Sequence, residues 1–443
     1  MKRSTRLTLI FSMIFTCTLQ IGVLDANSAV YYVSTAGNDN NAGTVAAPFR
    51  TINRGKQVLK PGDTLYLHGG VYAEQLTSGI PSGTSSAYIT FAAYPGETPI
   101  LRPSYVSGLD PRVLYLFNVS YLVFDGLTFD GINKRQTPPL PPAYGTGAGV
   151  IKFDANADGS GQPHHIIMKN FEVLNGRESG ILGWGNEITF SHCKVHDNGM
   201  VDSYRSGRQG FYWNGNHTTI EFCDIYNNNG SGVIFWDAHT DDQMPGGNSC
   251  CNILRNSIIR DHHMQTLNSN PDFSPGVMCA TNLSAGTSCD IYNNIIYNND
   301  VGVYLTYNCC FSGGIYNNTI YNNRHGQVGG TGQGIWFAIY GRGMVVKNNI
   351  IYKNEGQPVQ IDNQSGGTIV SNNLTSGDPL FVNALAGNFH LMAGSPAIGA
   401  GTNLSSMFLS DFELNPRPSC CYDVGAYQYI RAAPQAPSNL AVK

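Results

Sequence analysis

Asn294-Ile295-Ile296-Tyr297-Asn298, Asn318-Thr319-Ile320-Tyr321-Asn322 and Asn349-Ile350-Ile351-Tyr352-Lys353 are copies of one five-residue phrase. Looser copies precede them at Phe171-Glu172-Val173-Leu174-Asn175 and Cys223-Asp224-Ile225-Tyr226-Asn227. With Cys193, Asn256 and Asn373 added, the first position recurs in steps of 22 to 38 residues; the shortest step is the bare repeat and the excess is loop. A second short segment opens on glycine in each unit: Gly180-Ile181-Leu182, Gly210-Phe211-Tyr212, Gly232-Val233-Ile234, Gly276-Val277-Met278, Gly302-Val303-Tyr304 and Gly334-Ile335-Trp336. Strands of three to five residues set off by Asn/Gly turns, with no 3.6-residue period, gain stability only by stacking on the next unit. The pattern predicts an all-β fold, a right-handed parallel β-helix in which strands lie about 4.8 Å above one another. Asn256, Asn294, Asn318, Asn349 and Asn373 are expected to form an amide ladder along its axis. Cys193 and Cys223 fall in one column, as do Cys251 and Cys289, so packing or stapling between coils is expected of each pair. An open solenoid needs its ends covered, and residues 48–60 have the apolar spacing of a short N-terminal capping helix.

The composition narrows the function. Only 13% of the 443 residues are charged, about half the ~25% usual for soluble domains. Lys and Arg number 26 against 30 Asp and Glu, a net charge of −4, which gives no footprint for a nucleic-acid backbone. Lys2, Arg3 and Arg6 precede an apolar run to about Val23, followed by Ala26-Asn27-Ser28-Ala29, so residues 1–29 read as a secretory signal peptide and the protein as secreted or surface-bound. No later stretch is apolar enough to span a membrane, and a monomer is expected. Ten cysteines remain after residue 29; an even number in an exported chain points to disulfides, with zinc as the rival reading despite the lack of paired CxxC motifs. The domain is placed at 30–430, and 431–443 reads as a linker or the start of a fibronectin type III-like module.

Tyr31-Tyr32-Val33-Ser34 with Gly37-Asn38-Asp39, Pro48-Phe49-Arg50-Thr51-Ile52, Pro61-Gly62-Asp63-Thr64 and Gly70-Val71-Tyr72 resemble the opening of secreted β-helix proteins of the pectate-lyase-like superfamily. At the other end, Asp378-Pro379-Leu380-Phe381, Gly394-Ser395-Pro396-Ala397-Ile398 and Asp423-Val424-Gly425-Ala426-Tyr427 resemble the terminal segment of bacterial exported members. The resemblance implies the fold, whereas chemistry varies across the superfamily among lyases, hydrolases, epimerases and proteins without known activity. Pectate lyases of family nine are the nearest enzyme resemblance. That family holds calcium with clustered aspartates on adjacent coils and uses a lysine base. The matching stretches here, Arg208-Gln209-Gly210-Phe211 and Asn227-Asn228-Asn229-Gly230-Ser231-Gly232, contain no carboxylate, so the calcium site does not carry over by position.

Alternation along the glycine-opened strands sends Ile181, Phe211, Val233, Val277, Val303 and Ile335 inward. It sends Leu182, Trp184, Tyr212, Asn214, Ile234, Trp236, Met278, Tyr304, Thr306 and Trp336 outward. Large aromatics on a water-facing strand require either covering loops or a sugar ligand, and Trp184, Tyr212, Trp236, Tyr304 and Trp336 are the candidate sugar platforms. Titratable residues cluster in the long connections nearby: Arg205 and Arg208, then Asp237, His239, Asp241 and Asp242. Elimination from a uronic acid needs a cation, a base and an acid, roles open to Arg205 and Arg208 with His239 or Tyr212. Hydrolysis needs two carboxyl groups, open to Asp237 with Asp241 or Asp242. The same aspartates read equally as turn residues or a structural calcium site. His262 and His263 are expected to face opposite ways, and Lys152 and Asp154 project outward in an earlier coil, where a solvated strand edge accounts for them equally well. The reading is an exported carbohydrate-active protein, lyase or hydrolase, acting on a polysaccharide; the alternative is a non-catalytic envelope or matrix protein that binds glycan.

Overall fold

In the computed structural model, the described residues are 28–104, 112–131, 149–156, 159–199, 209–237, 250–263, 274–281, 287–306, 311–324, 332–338, 344–362 and 367–430. Three long parallel sheets run the length of the molecule and are visited in turn by the chain, as a right-handed β-helix requires. Sheet 1 has twelve strands among the described residues, from Val30–Val33 to Ile369–Ser371. Sheet 2 has ten, from Gly70–Tyr72 to Ile350–Tyr352, and sheet 3 has nine, from Leu114–Phe117 to Val359–Ile361. The capping helix is a minor element, the single turn α1 (Ile52–Lys56), N-capped by Thr51 and packed on the first two strands of sheet 1.

Inward residues of all three sheets stand in columns that build the core. In sheet 1, Phe91, Phe124, Met168, Phe190, Ile220, Leu254, Ile291 and Ile315 stand in register, all fully buried. Sheet 2 supplies Val173, Val195, Ile225, Ile259, Ile296 and Ile320. Sheet 3 supplies the six residues that alternation placed inward, from Ile181 to Ile335, each at 0% exposure. Trp213 joins them; its indole donates to Thr218 Oγ1 at 2.8 Å, and its ring meets Phe153 and Phe190 edge-on.

The five-residue phrase has a conformational cause. Asn293, Asn317 and Asn348 adopt left-handed φ values of 54°, 49° and 58°, as do Asn298 and Asn322 at the other end of the strand. Asparagine tolerates this conformation better than most residues, so it turns the chain sharply at both ends of a three-residue strand. The residue after each turn points inward as a ladder rung. The first ladder is Ser257, Asn294, Asn318, Asn349 and Asn373, joined by bonds from the backbone N–H of one rung to the side-chain oxygen of the next at 2.9–3.0 Å. Asn256 is therefore not a rung. It is the left-handed residue before the rung, and its amide faces outward to Asp411 O and Phe412 O. One place further back in this column, Cys223 N–H donates to Ser257 Oγ, and Cys223 is disulfide-bonded to Cys193. Cys289 does not share a column with Cys251; it stands in register with Asn252, and its sulfur lies 3.0 Å from that of Cys279, across the core.

A second ladder at the other end of the sheet 2 strands comprises Asn198, Asn228, His262, Asn299, Asn323 and Asn354. His262 occupies an asparagine position: Nδ1 accepts from Asn228 N–H, and Nε2 lies 3.2 Å from Ile225 O. His263 faces the other way, with Nδ1 2.8 Å from the buried Asp300. Burial pushes the His262 pKa down to about 4, below the ordinary ~6.5, so the unfolded chain takes up the proton first. This rung therefore imposes no penalty above about pH 7 and withdraws up to ~3 kcal/mol as pH falls from 6.5 towards 4. His262→Asn should flatten that part of the acid dependence of the urea midpoint; an unchanged slope would contradict the assignment.

Residues 378–430 return along the outside of sheets 1 and 2. Phe408 stacks on Tyr292 at 4.8 Å, and Phe389 packs on Tyr297 and Tyr321. The outward amides of Asn256, Asn293, Asn317 and Asn348 donate to carbonyls of this segment. Buried Arg417 ties it further, to Asn293 Oδ1 and the Gly425 and Ala426 carbonyls.

Candidate active site on sheet 3

The outward residues of sheet 3 form two columns. The first reads Tyr115, Lys152, Leu182, Tyr212, Ile234, Met278, Tyr304, Trp336 and Gln360 in strict register. The second lies two places on and includes Trp236, Ala280 and Thr306, with Asn214 between Trp184 and Trp236 by extension of the pairing Gly183↔Trp213↔Phe235. All five predicted platform residues lie on this face and all are partly exposed. The structure gathers them into three groups. Trp184 lies beneath the Lys152 ammonium at 4.4 Å; Tyr212 and Trp236 have ring centroids 6.3 Å apart; Tyr304 and Trp336 approach to 4.9 Å, and the Trp336 indole donates to Asp362 Oδ2 at 2.7 Å.

Lys152 was legible only as one of two outward charges, and the structure gives it a more specific setting. Its side chain is 9% exposed, Nζ lies 3.9 Å from Asp154 Oδ1, and the Tyr115 hydroxyl donates to the other Asp154 oxygen at 3.0 Å. The Arg112 guanidinium covers the Tyr115 ring at 4.0 Å. Burial holds the Lys152 ammonium below the usual lysine range; Asp154 and Glu178 oppose this and Arg112 adds to it. Burial and Asp154 hold the Tyr115 phenol above its usual range, hence protonated. A desolvated lysine, a protonated phenol and a guanidinium thus share one end of the face. Asn214 adds an orphan acceptor: its Oδ1 is buried and has no hydrogen-bond partner among the described residues. Such a group costs free energy unless a ligand donor reaches it.

Of the predicted catalytic residues, Arg205, Arg208, His239, Asp241 and Asp242 lie outside the described residues. Asp237 closes the sheet 3 strand Val233–Asp237, with its backbone in register with Thr281. The positions that match the calcium-holding stretches of the resembled lyases do not fit the ion. Gln209 Oε1 accepts from Ser179 Oγ, Asn227 donates to Asp197, and Asn228 is a buried ladder rung. These are engaged amides rather than carboxylates, and hard cations are held chiefly by carboxylate and carbonyl oxygen.

Three parallel sheets visited in turn, with aromatic and cationic side chains along the outer face of the third, define a right-handed β-helix solenoid. Residues 31–383 match the family described as Pel9A-like, right handed beta helix region, and the chain belongs to that family. Pectate lyase PEL9 of Emericella nidulans is 42% identical over 77 residues, covering 17% of this chain and 18% of the relative's length. The chain thus matches less than a fifth of that relative. The crystal structure of pectate lyase Pel9A superimposes with a TM-score of 0.59 at 16% identity, covering 90% of this chain and 96% of the other. A rhamnogalacturonan lyase gives 0.55 at 18% identity, covering 80% and 91%. At these identities the likeness is one of fold. No helix among the described residues is long and apolar enough to cross a membrane.

Proposed function

We propose that this chain is an exported carbohydrate-active enzyme that binds an extracellular polysaccharide along the outside of sheet 3 and cleaves it by β-elimination at the Lys152 end. The observation that carries the reading is the setting of Lys152, a nearly buried amine on the outer face of sheet 3 that lies 4.4 Å over Trp184 and 3.9 Å from Asp154, beside Tyr115 and Arg112, where burial favours its neutral form. Lys152 takes the proton at C5 of a uronic acid, the C5 electron pair forms the C4–C5 double bond, the C4–oxygen bond breaks, and Tyr115 protonates the leaving oxygen. Arg112 neutralises the substrate carboxylate as charge develops. Arg205 and Arg208 precede the sheet 3 strand Phe211–Trp213, and Asp237, His239, Asp241 and Asp242 close or follow Val233–Asp237, so both groups are retained as candidates for contacts with the same chain.

Trp184, Asn214 and Trp236 form the neighbouring sugar subsite, with the rings offering flat apolar faces and the amide oxygen accepting from a hydroxyl. Asn214→Ala removes an acceptor that nothing in the described protein satisfies, so the urea midpoint should hold. Affinity for polygalacturonate, read by retardation in a polysaccharide gel, should fall about tenfold, the ~1.4 kcal/mol of one hydrogen bond. Unchanged retardation alongside unchanged stability would remove Asn214 from the site.

A further inference from the structure

A separate cluster sits where the chain enters sheet 1. His217 precedes the strand Thr219–Glu221, and Cys250 and Cys251 precede its neighbour Asn252–Arg255. An imidazole nitrogen of His217 and the sulfurs of Cys250 and Cys251 all lie within 4.8 Å of one another, with the two sulfurs 3.1 Å apart. The backbone around them is pinned. His217 N–H donates to Cys250 O at 3.0 Å, Cys250 N–H to Asn216 Oδ1 at 3.0 Å, and Cys251 N–H to Ser288 Oγ at 2.8 Å. His217 and Cys251, with φ values of 49° and 63°, occupy the left-handed corner that His165 and Glu187 occupy on the preceding coils, so the fold sets them one above the other.

We propose that His217, Cys250 and Cys251 bind one soft or borderline d10 cation of the zinc class, and that the ion clips two successive coils together. Thiolate and imidazole donors select such ions over calcium or magnesium. Bond lengths of about 2.3 Å to sulfur and about 2.0–2.1 Å to nitrogen in a tetrahedron put ligand atoms roughly 3.6–3.8 Å apart. In the observed cluster no two of the three ligand atoms lie more than 4.8 Å apart, and the sulfurs would have to separate by about 0.7 Å to reach that spacing. Both thiols give up their protons to solvent as the ion binds, and the fourth position falls to water or to Asn186 Oδ1, which lies 3.3 Å from His217 Nδ1. With Asn186 Oδ1 as the fourth ligand the site is closed, as structural sites of this class are, whereas water in that position would leave it open in the manner of catalytic ones. Its location gives it a purpose: Cys250 is where the chain re-enters sheet 1 after residues 238–249, so the ion would fasten the end of that long connection to the coil before it. The site is independent of the carbohydrate reading.

The test uses the full chain, reduced and then freed of reductant without air, titrated with Co(II) as a spectroscopic stand-in and back-titrated with Zn(II). The expected result is one cobalt per chain with a thiolate charge-transfer band that zinc abolishes. The double variant C250S/C251S should lose the band, and H217A should weaken cobalt binding at least about tenfold. C420S/C421S, at the exposed pair Cys420 and Cys421, should keep it. All three groups lie at or near the surface, so circular dichroism should show the variants folded. The proposal is overturned by absence of the band in protein whose Cys250 and Cys251 react as free thiols, by a band that survives C250S/C251S or is indifferent to H217A, or by a Cys250–Cys251 disulfide that persists in the presence of zinc and a thiol reductant.

Discussion

Lys152→Ala should cost the eliminating activity at least about 10²–10⁴-fold in kcat, the range for loss of a positioned base, while leaving gel retardation by polygalacturonate within a fewfold of the parent. The split follows from the geometry. Lys152 stands at one end of the sheet 3 face, and the aromatic pairs Tyr212 with Trp236 and Tyr304 with Trp336 lie on later coils, so most of the bound chain keeps its contacts. Asp154→Asn gives a companion result with a definite sign. Asp154 favours the ammonium form of Lys152, so its removal lowers the lysine pKa further and moves the acid limb of the pH–rate profile to lower pH. A limb that moved to higher pH, or did not move in an active variant, would take the base role away from Lys152.

Asn318→Ala should lower stability by about 3–5 kcal/mol, the largest effect expected of a single polar side chain here. Asn318 Oδ1 receives both the N–H and the side-chain amide of Asn294, and Asn318 Nδ2 donates to Asn349 Oδ1 and Ile291 O. Truncation strands several buried groups at once, each worth about 1–3 kcal/mol. Urea unfolding and amide exchange at Asn294 should report the loss together. A midpoint no lower than that of Asn403→Ala, a change at an exposed loop residue, would show that the ladder contributes register without stability.

The fold was legible because its cause is local and repeated. Left-handed asparagines before inward rungs generate the phrase that recurs at 294, 318 and 349, and period-two alternation places the six named residues of sheet 3, Ile181 to Ile335, inward, where they are fully buried. Errors came from one-residue ambiguity where the phrase degenerates. Arg255-Asn256-Ser257 carries its asparagine on the turn and its rung on serine, so the more conspicuous residue is the wrong one to read as the rung. The second ladder escaped because His262 and the spacing of Asn198, Asn228 and Asn299 disguise it as turn residues. At the site, the aromatic face was readable from alternation, while the setting of Lys152 was not. Its burial depends on Trp184 and Asp154 on the same face, with Tyr115 beside it on the strand Leu114–Phe117 and Arg112 just before that strand, whose sequence lacks the opening glycine.

The central claim is that the outer face of sheet 3 cleaves a uronic-acid polysaccharide. It is tested most directly by incubating the protein with polygalacturonate, rhamnogalacturonan, alginate and neutral glucans, and recording ultraviolet absorbance of unsaturated ends alongside new reducing ends. The account predicts that both signals rise together on at least one uronate polymer, stay flat on the neutral ones, and vanish with Lys152→Ala. Reducing ends without unsaturation, or cleavage that is indifferent to Lys152, would contradict it.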